Sequence, residues 1–230
     1  MEINHKETLR KNTAVAPGLT IVYWGREDAA LLDAFEREKE RLNQQWRPHI
    51  WWYAADHIHV TLSALTRTKY NQFTALRRGQ LPEGLSNLVQ ALSGLHAFEV
   101  VFSALAIRQD GQIQFNGRLN DPAGWENIRI IREVYQSLDP ELTRLDRPKS
   151  DQESLHVNIG YFQKAVPGLA AAVWEMEPVA VRIETLSIVH YLRRTLEPRY
   201  ILGQLHLPFG NGRTMPVNPD YFYDILSIKP

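Results

Sequence analysis

Apolar and polar residues alternate along Asp56 to Leu65. His57, His59, Thr61 and Ser63 fall on one side, with Ile58, Val60, Leu62 and Ala64 on the other. A period of two with β-branched residues predicts a strand with one buried face. The pattern returns along Ser154 to Phe162, where His156 and Asn158 share a side backed by Leu155, Val157 and Ile159. Each strand therefore offers a histidine and, two positions on, a small side chain that forms hydrogen bonds. A strand that only seals a core has no need of such a polar face.

Around these two strands the periodicity predicts an ordinary set of elements. Leu19 to Trp24 reads as a strand, and Asp28 as the cap of a helix carrying Leu31, Phe35, Leu42 and Trp46 on one side. Pro48 ends that helix, and Ile50 to Tyr53 lead into the first histidine strand. Pro82 to Leu95 reads as a helix with Leu85, Leu88, Val89, Leu92 and Leu95 inward. Phe98 to Ile107 is a strand, turned by Asp110-Gly111 into Gln112 to Asn116. Asp121-Pro122 starts a helix with Ile128, Ile131, Val134, Tyr135 and Leu138 inward. Leu142 to Glu153 is charged and reads as a loop. Pro167 to Met176 is expected as a short helix, and Val179 to Val189 and Arg199 to Leu207 as strands joined through Arg193-Arg194. Residues 1–18 read as an N-terminal strap and residues 208–230 as a tail wrapping the body. The whole span 1–230 is expected as a single domain of class α+β, with mainly antiparallel strands.

Composition narrows the partners. Lys plus Arg and Asp plus Glu both number 26, so the chain lacks the basic surplus that duplex nucleic acid demands. A small phosphorylated ligand or an RNA end stays compatible. No cysteine occurs, which excludes disulfides and thiolate–metal sites. No apolar run has the length of a membrane span and no signal peptide is visible, so a cytoplasmic protein without membrane contact is expected.

Two histidines on opposite sides of one phosphorus can act as base and acid near neutral pH. Thr61 Oγ–H and Asn158 Nδ2–H₂ can donate to the non-bridging oxygens. His57-x-His59 also has metal-ligand character, but no third ligand stands at a recognisable spacing, so no metal or other cofactor is expected and His57 is placed at the rim. Tyr161 and Arg193 are the candidate substrate contacts among the aromatic and basic residues near the two strands.

The pair His59-Val60-Thr61-Leu62 and His156-Val157-Asn158-Ile159 resembles the two-histidine (2H) phosphoesterase superfamily. Its members carry a His-x-Ser/Thr-hydrophobic motif on each of two central strands. The first motif matches in full; the second has Asn158 where the family has Ser or Thr. The resemblance implies a bilobal, pseudo-symmetric fold, with two mainly antiparallel sheets around a central cleft and helices outside. It implies a metal-independent cyclic phosphodiesterase with catalytic His59 and His156, and phosphate held by Thr61 and Asn158. The first histidine would be the acid and the second the base. The implied substrate is a nucleotide-like phosphodiester, either an RNA end with a 2′,3′-cyclic phosphate or a small cyclic nucleotide, handled by a monomer. The altered second motif leaves a second possibility, a non-catalytic protein that binds nucleotides or RNA ends.

Overall fold

The computed structural model describes residues 3, 5–15, 18–65, 95–137, 154–164 and 166–208. In chain order these form α1 (His5–Thr13), β1 (Gly18–Trp24), α2 (Ala29–Trp46), β2 (Ile50–Trp52), β3 (His59–Leu65), β4 (Phe98–Ile107), β5 (Gln112–Leu119), α3 (Pro122–Ser137), β6 (Ser154–Phe162), β7 (Ala172–Ile183), β8 (Thr185–Tyr191) and β9 (Ile201–Pro208). The fold is α+β, built on a large antiparallel sheet.

Local signals set most of these elements. The Asp28 carboxylate accepts from Leu31 N at 2.9 Å and so satisfies one of the free amides that open α2. Asp121 does the same for Ala123 N at the start of α3, at 2.7 Å. Gly111 turns the β4–β5 hairpin at φ 83°, a conformation open to glycine at no steric cost. Leu31, Ala34, Phe35 and Leu42 of α2, with Ile128 and Ile131 of α3, cover the apolar face of the sheet. Val134 and Tyr135 side chains and Leu138 lie outside the described residues, as do the loop at 142–153, the tail from 209, and the helix at 82–95 apart from Leu95. The segment read as a strap contains α1, whose Asn12 Nδ2 donates to Gln112 Oε1 at 3.4 Å.

The strands run in the order β7-β4-β5-β6-β3-β1-β8-β9, with β2 also on the edge of β6. The two sheets implied by the resemblance are here two four-stranded halves of one sheet. They meet at a single ladder pair between β3 and β6, Val60↔Val157. The junction is narrow because β2 already occupies β6 from Gly160 to Phe162. β7 and β8 pair in opposite halves yet are separated by Glu184 alone. Consecutive Cα atoms lie 3.8 Å apart, so that connection draws the two halves together and the sheet cannot be flat.

The helix expected at Pro167 to Met176 is not formed: Ala172 to Glu175 belong to β7 and pair with Ile107 to Ala104 of β4. Alanine favours helix by less than about 1 kcal/mol per residue over most residues. The free edge of a ten-residue strand outweighs that preference, because each pair adds ladder hydrogen bonds and side-chain contact. Among the described residues no helix is long and apolar enough to cross a membrane.

Candidate functional site

The site is set by the Val60↔Val157 pair. In an antiparallel ladder the residues flanking such a pair face each other, so His59 stands opposite Asn158 and Thr61 opposite His156. Because side chains alternate, all four lie on the face away from the two valines, which are 0% exposed in the core. The neighbouring strands flank this patch with buried apolar side chains on the β1 side and with amides on the β5 side. On one side Trp24 and Val22 of β1 pair with His59 and Thr61. On the other, Gln114 and Asn116 of β5 pair with Asn158 and His156. The four residues read from the motifs are therefore gathered on one face, each motif's histidine beside the other motif's hydrogen-bonding residue.

His57 lies outside the strand that builds that face. Strict alternation put it there, but Ala55–His57 form a 3₁₀ turn. The chain runs along β6 as β2, bonds once more through Tyr53 N to Ile159 O at 3.0 Å, then leaves the edge and rejoins at Val60. The excursion aims the His57 carbonyl back at His59, whose Nδ1 donates to it at 2.7 Å. That bond fixes the tautomer, leaving the Nε2 lone pair of His59 free to take a proton. Among the described residues no three of His, Cys, Asp and Glu sit together in a way that could hold a metal ion.

The electrostatics of the two imidazoles differ in degree. Burial pushes His59 down to about 4, opposed by the His57 carbonyl and assisted by His156 and His57. The edge of the Trp24 ring closes on it, with centroids 5.9 Å apart. His156 is also lowered, first by burial and then by the Arg108 cation. Both rings are thus neutral at pH 7 in the unliganded protein.

Tyr161 reaches the site by an irregularity that sequence periodicity does not reveal. Gln114 pairs with Asn158 but Ile113 pairs with Gly160, so β6 holds one extra residue at Ile159. Beyond such a bulge the alternation changes phase. Tyr161 consequently pairs with Gln112 on the same side as His156 and Asn158. It is 4% exposed, wedged against Trp51 with centroids 5.0 Å apart, and offers a ligand no open ring face for stacking. Burial and Glu197 raise its hydroxyl above the usual phenol range, and Arg193 opposes them, so charges of the turn between β8 and β9 act on it. Arg193 itself stacks on Tyr200 at 4.1 Å. Gly160 holds the bulge: a Cβ there would lie 2.7 Å from Trp51 O and 2.9 Å from Trp52 Cε3. Gly160→Ala is expected to lower stability by about 1–3 kcal/mol, read from the urea midpoint, because the first clash is with backbone.

Seven buried side-chain polar atoms lack a hydrogen-bond partner among the described residues: three stand on this face, Trp24 Nε1, Gln114 Oε1 and Asn158 Oδ1, and two adjoin it in sequence or turn, His57 Nδ1 before β3 and Arg193 Nε after β8. Unpaired polar groups are costly in a core, and their presence on this face is something that packing alone does not explain. Trp24, Gln114 and Asn116 were missed by the sequence reading. The signal for the last two was the alternation of Gln112, Gln114 and Asn116 along β5, the same polar-face pattern that singled out the histidine strands.

No family model matches the chain, and no curated protein does. Among solved structures it is similar to TT0787 of Thermus thermophilus, with 13% identity, a TM-score of 0.54, and coverage of 83% of this chain and 97% of that one. It is also similar to a protein named as a phosphoesterase, at 12% identity and TM-score 0.50, covering 84% and 99%. E. coli LigT in apo form follows at 13% identity and TM-score 0.47, covering 84% and 95%. The first two establish a shared fold, and a fold by itself does not fix a function.

Proposed function

We propose that this protein is a metal-independent phosphodiesterase of the two-histidine kind. Its substrate is a nucleotide-like phosphodiester, either an RNA end bearing a 2′,3′-cyclic phosphate or a small cyclic nucleotide. The observation that carries this reading is the Val60↔Val157 pair, which gathers two imidazoles and two hydrogen-bonding side chains on one face. The second structural neighbour is named as a phosphoesterase, which agrees with it.

In the proposed reaction the phosphodiester binds with its non-bridging oxygens on Thr61 Oγ–H and Asn158 Nδ2–H₂. Its negative charge raises both imidazoles, so that the pair takes up one proton. His156, the less depressed of the two, holds that proton, while His59 keeps the free Nε2 set by its bond to the His57 carbonyl. His59 accepts the proton of the attacking water as the new P–O bond forms. His156 gives its proton to the departing ribose oxygen as the old P–O bond breaks. This reverses the order implied by the resemblance, where the first histidine is the acid. In this proposal Arg193, at the turn between β8 and β9, contacts the substrate anion.

The order of roles is tested with leaving groups. An activated nitrophenyl phosphodiester needs no acid, so it should recover about 10²-fold of the activity that His156→Ala loses on a cyclic nucleotide. It should recover little for His59→Ala. Recovery in His59→Ala alone would restore the order implied by the resemblance.

The profile of kcat/KM against pH should be a bell on the acid side of neutrality. Its acidic limb should lie near pH 4, where His59 loses its proton and becomes a base. Its alkaline limb should lie below 6.5, since His156 is lowered and activity falls as the acid deprotonates. EDTA should leave the rate unchanged. Full loss on chelation, restored by a divalent ion, would replace this mechanism with a metal-assisted one. The Asn158 departure from Ser or Thr leaves one alternative, a cleft that binds nucleotides without turning them over. Tight binding of a 3′-nucleotide with no turnover of any cyclic substrate would select it.

A further inference from the structure

Asn158 can serve as a phosphate donor only if its carbonyl oxygen is held away from the phosphate, since that oxygen would repel it. The residue paired directly with it is Gln114, which is 7% exposed. Gln114 Nε2 donates to Asn116 Oδ1 at 2.5 Å, and this leaves Gln114 Oε1 buried without a donor. Across the strand Asn158 Oδ1 is buried without one as well. Two acceptors thus stand on directly paired residues with no hydrogen between them, an arrangement that leaves two polar groups unsatisfied.

A primary amide exchanges its oxygen and nitrogen by a half-turn about its last bond, with almost no change of shape. Turning Gln114 and Asn116 together preserves their mutual bond, now with Asn116 Nδ2 donating to Gln114 Oε1. The same turn puts the donor Nε2 where the orphaned Gln114 Oε1 stood, on the residue paired directly with Asn158, and gives Gln114 Oε1 a donor in Asn116. Turning Asn158 instead would also satisfy Gln114, but it would present a carbonyl oxygen to the phosphoryl group.

We infer that Asn116, Gln114 and Asn158 form an amide relay across β5 and β6 that pins the Asn158 oxygen inward and presents its Nδ2–H₂ to substrate. Gln114 is then a positioning residue, acting on phosphate through Asn158. The departure from Ser or Thr at this position is compensated by two neighbouring amides and is not a loss of function. A hydroxyl rotates to its acceptor unaided, so a Ser or Thr here would need no such neighbours. The inference rests on the phosphodiesterase reading and extends it.

The test is a double-mutant cycle on a 2′,3′-cyclic nucleotide. Gln114→Met should lower kcat about tenfold, the worth of one hydrogen bond. Gln114→Glu should do the same, because a carboxylate keeps the shape but cannot donate to Asn158. In an Asn158→Thr background Gln114→Met should cost nothing further, since threonine needs no anchor. An equal cost in both backgrounds would overturn the relay while leaving the phosphodiesterase reading intact. A second measurement does not depend on turnover. The side-chain amide protons of Gln114, identified by their loss in Gln114→Met, should exchange with solvent about tenfold faster in Asn158→Ala than in the parent protein. Equal exchange rates would refute the relay even in a protein that binds without catalysis. Absence of turnover in the parent protein, with the exchange effect present, would instead refute the phosphodiesterase reading alone.

Discussion

His59→Ala and His156→Ala should each lower turnover of a 2′,3′-cyclic nucleotide by at least ~10²-fold, with smaller changes in KM. The size follows from what is removed. Positioned proton transfer contributes ~10²–10⁴-fold, and alanine leaves nothing at either position that can accept or donate a proton. KM should change less because Thr61, Asn158 and the surrounding surface still hold the ground state. The double variant should cost far less than the product of the two single losses, since two groups that pass one proton act as a unit. His57→Ala is the control. Its contribution to His59 is a backbone carbonyl, which alanine retains, so its activity should stay within about tenfold of the parent. A loss in His57→Ala as large as in His59→Ala would point to a direct role for the His57 ring and against the two-histidine pair.

The second large effect concerns stability in acid. His59 is 5% exposed, and its folded-state value of about 4 lies below the unperturbed 6.5. Below pH 6.5 the unfolded chain takes up a proton that the folded protein refuses. The stability contributed by neutral His59 is therefore complete above 6.5 and lost as pH falls toward 4, below which this group adds no further loss. The shift corresponds to about 3 kcal/mol, a large share of the 5–15 kcal/mol by which domains are usually stable. His156, lowered for the same leading reason, adds a loss of the same sign. Urea unfolding at several pH values between 7 and 4 measures it. His59→Gln, which cannot titrate, should flatten the curve. If parent and variant lost stability in parallel, acid sensitivity would have to come from carboxylates elsewhere.

How much of this could be read from the sequence differs from residue to residue. β1, α2, β4, the Asp110-Gly111 turn and both histidine strands follow from nearest-neighbour chemistry. A period of two, a capping carboxylate or a glycine at positive φ acts over a few residues and is visible in them. The two motifs could therefore be placed on strands, and His59, Thr61, His156 and Asn158 each assigned to the polar side of its own strand. What those strands did to one another was not written locally. The single Val60↔Val157 pair decides that the two polar faces become one face, and it is a contact between distant parts of the chain. The turn that removes His57 exists because β2 and β3 share the edge of β6. The extra residue at Ile159 that brings Tyr161 round is defined only against β5. Ala172 to Glu175 became strand because β4 had an edge to pair, not because of their own preference. The polar alternation of Gln112, Gln114 and Asn116 was plain in the sequence, yet its meaning depended on Asn158 lying across the ladder. Periodicity and capping are properties of a segment, whereas register is a property of a pair of segments. The composition of the site was local information, and its geometry came from hydrogen-bonded partners that only the folded sheet supplies.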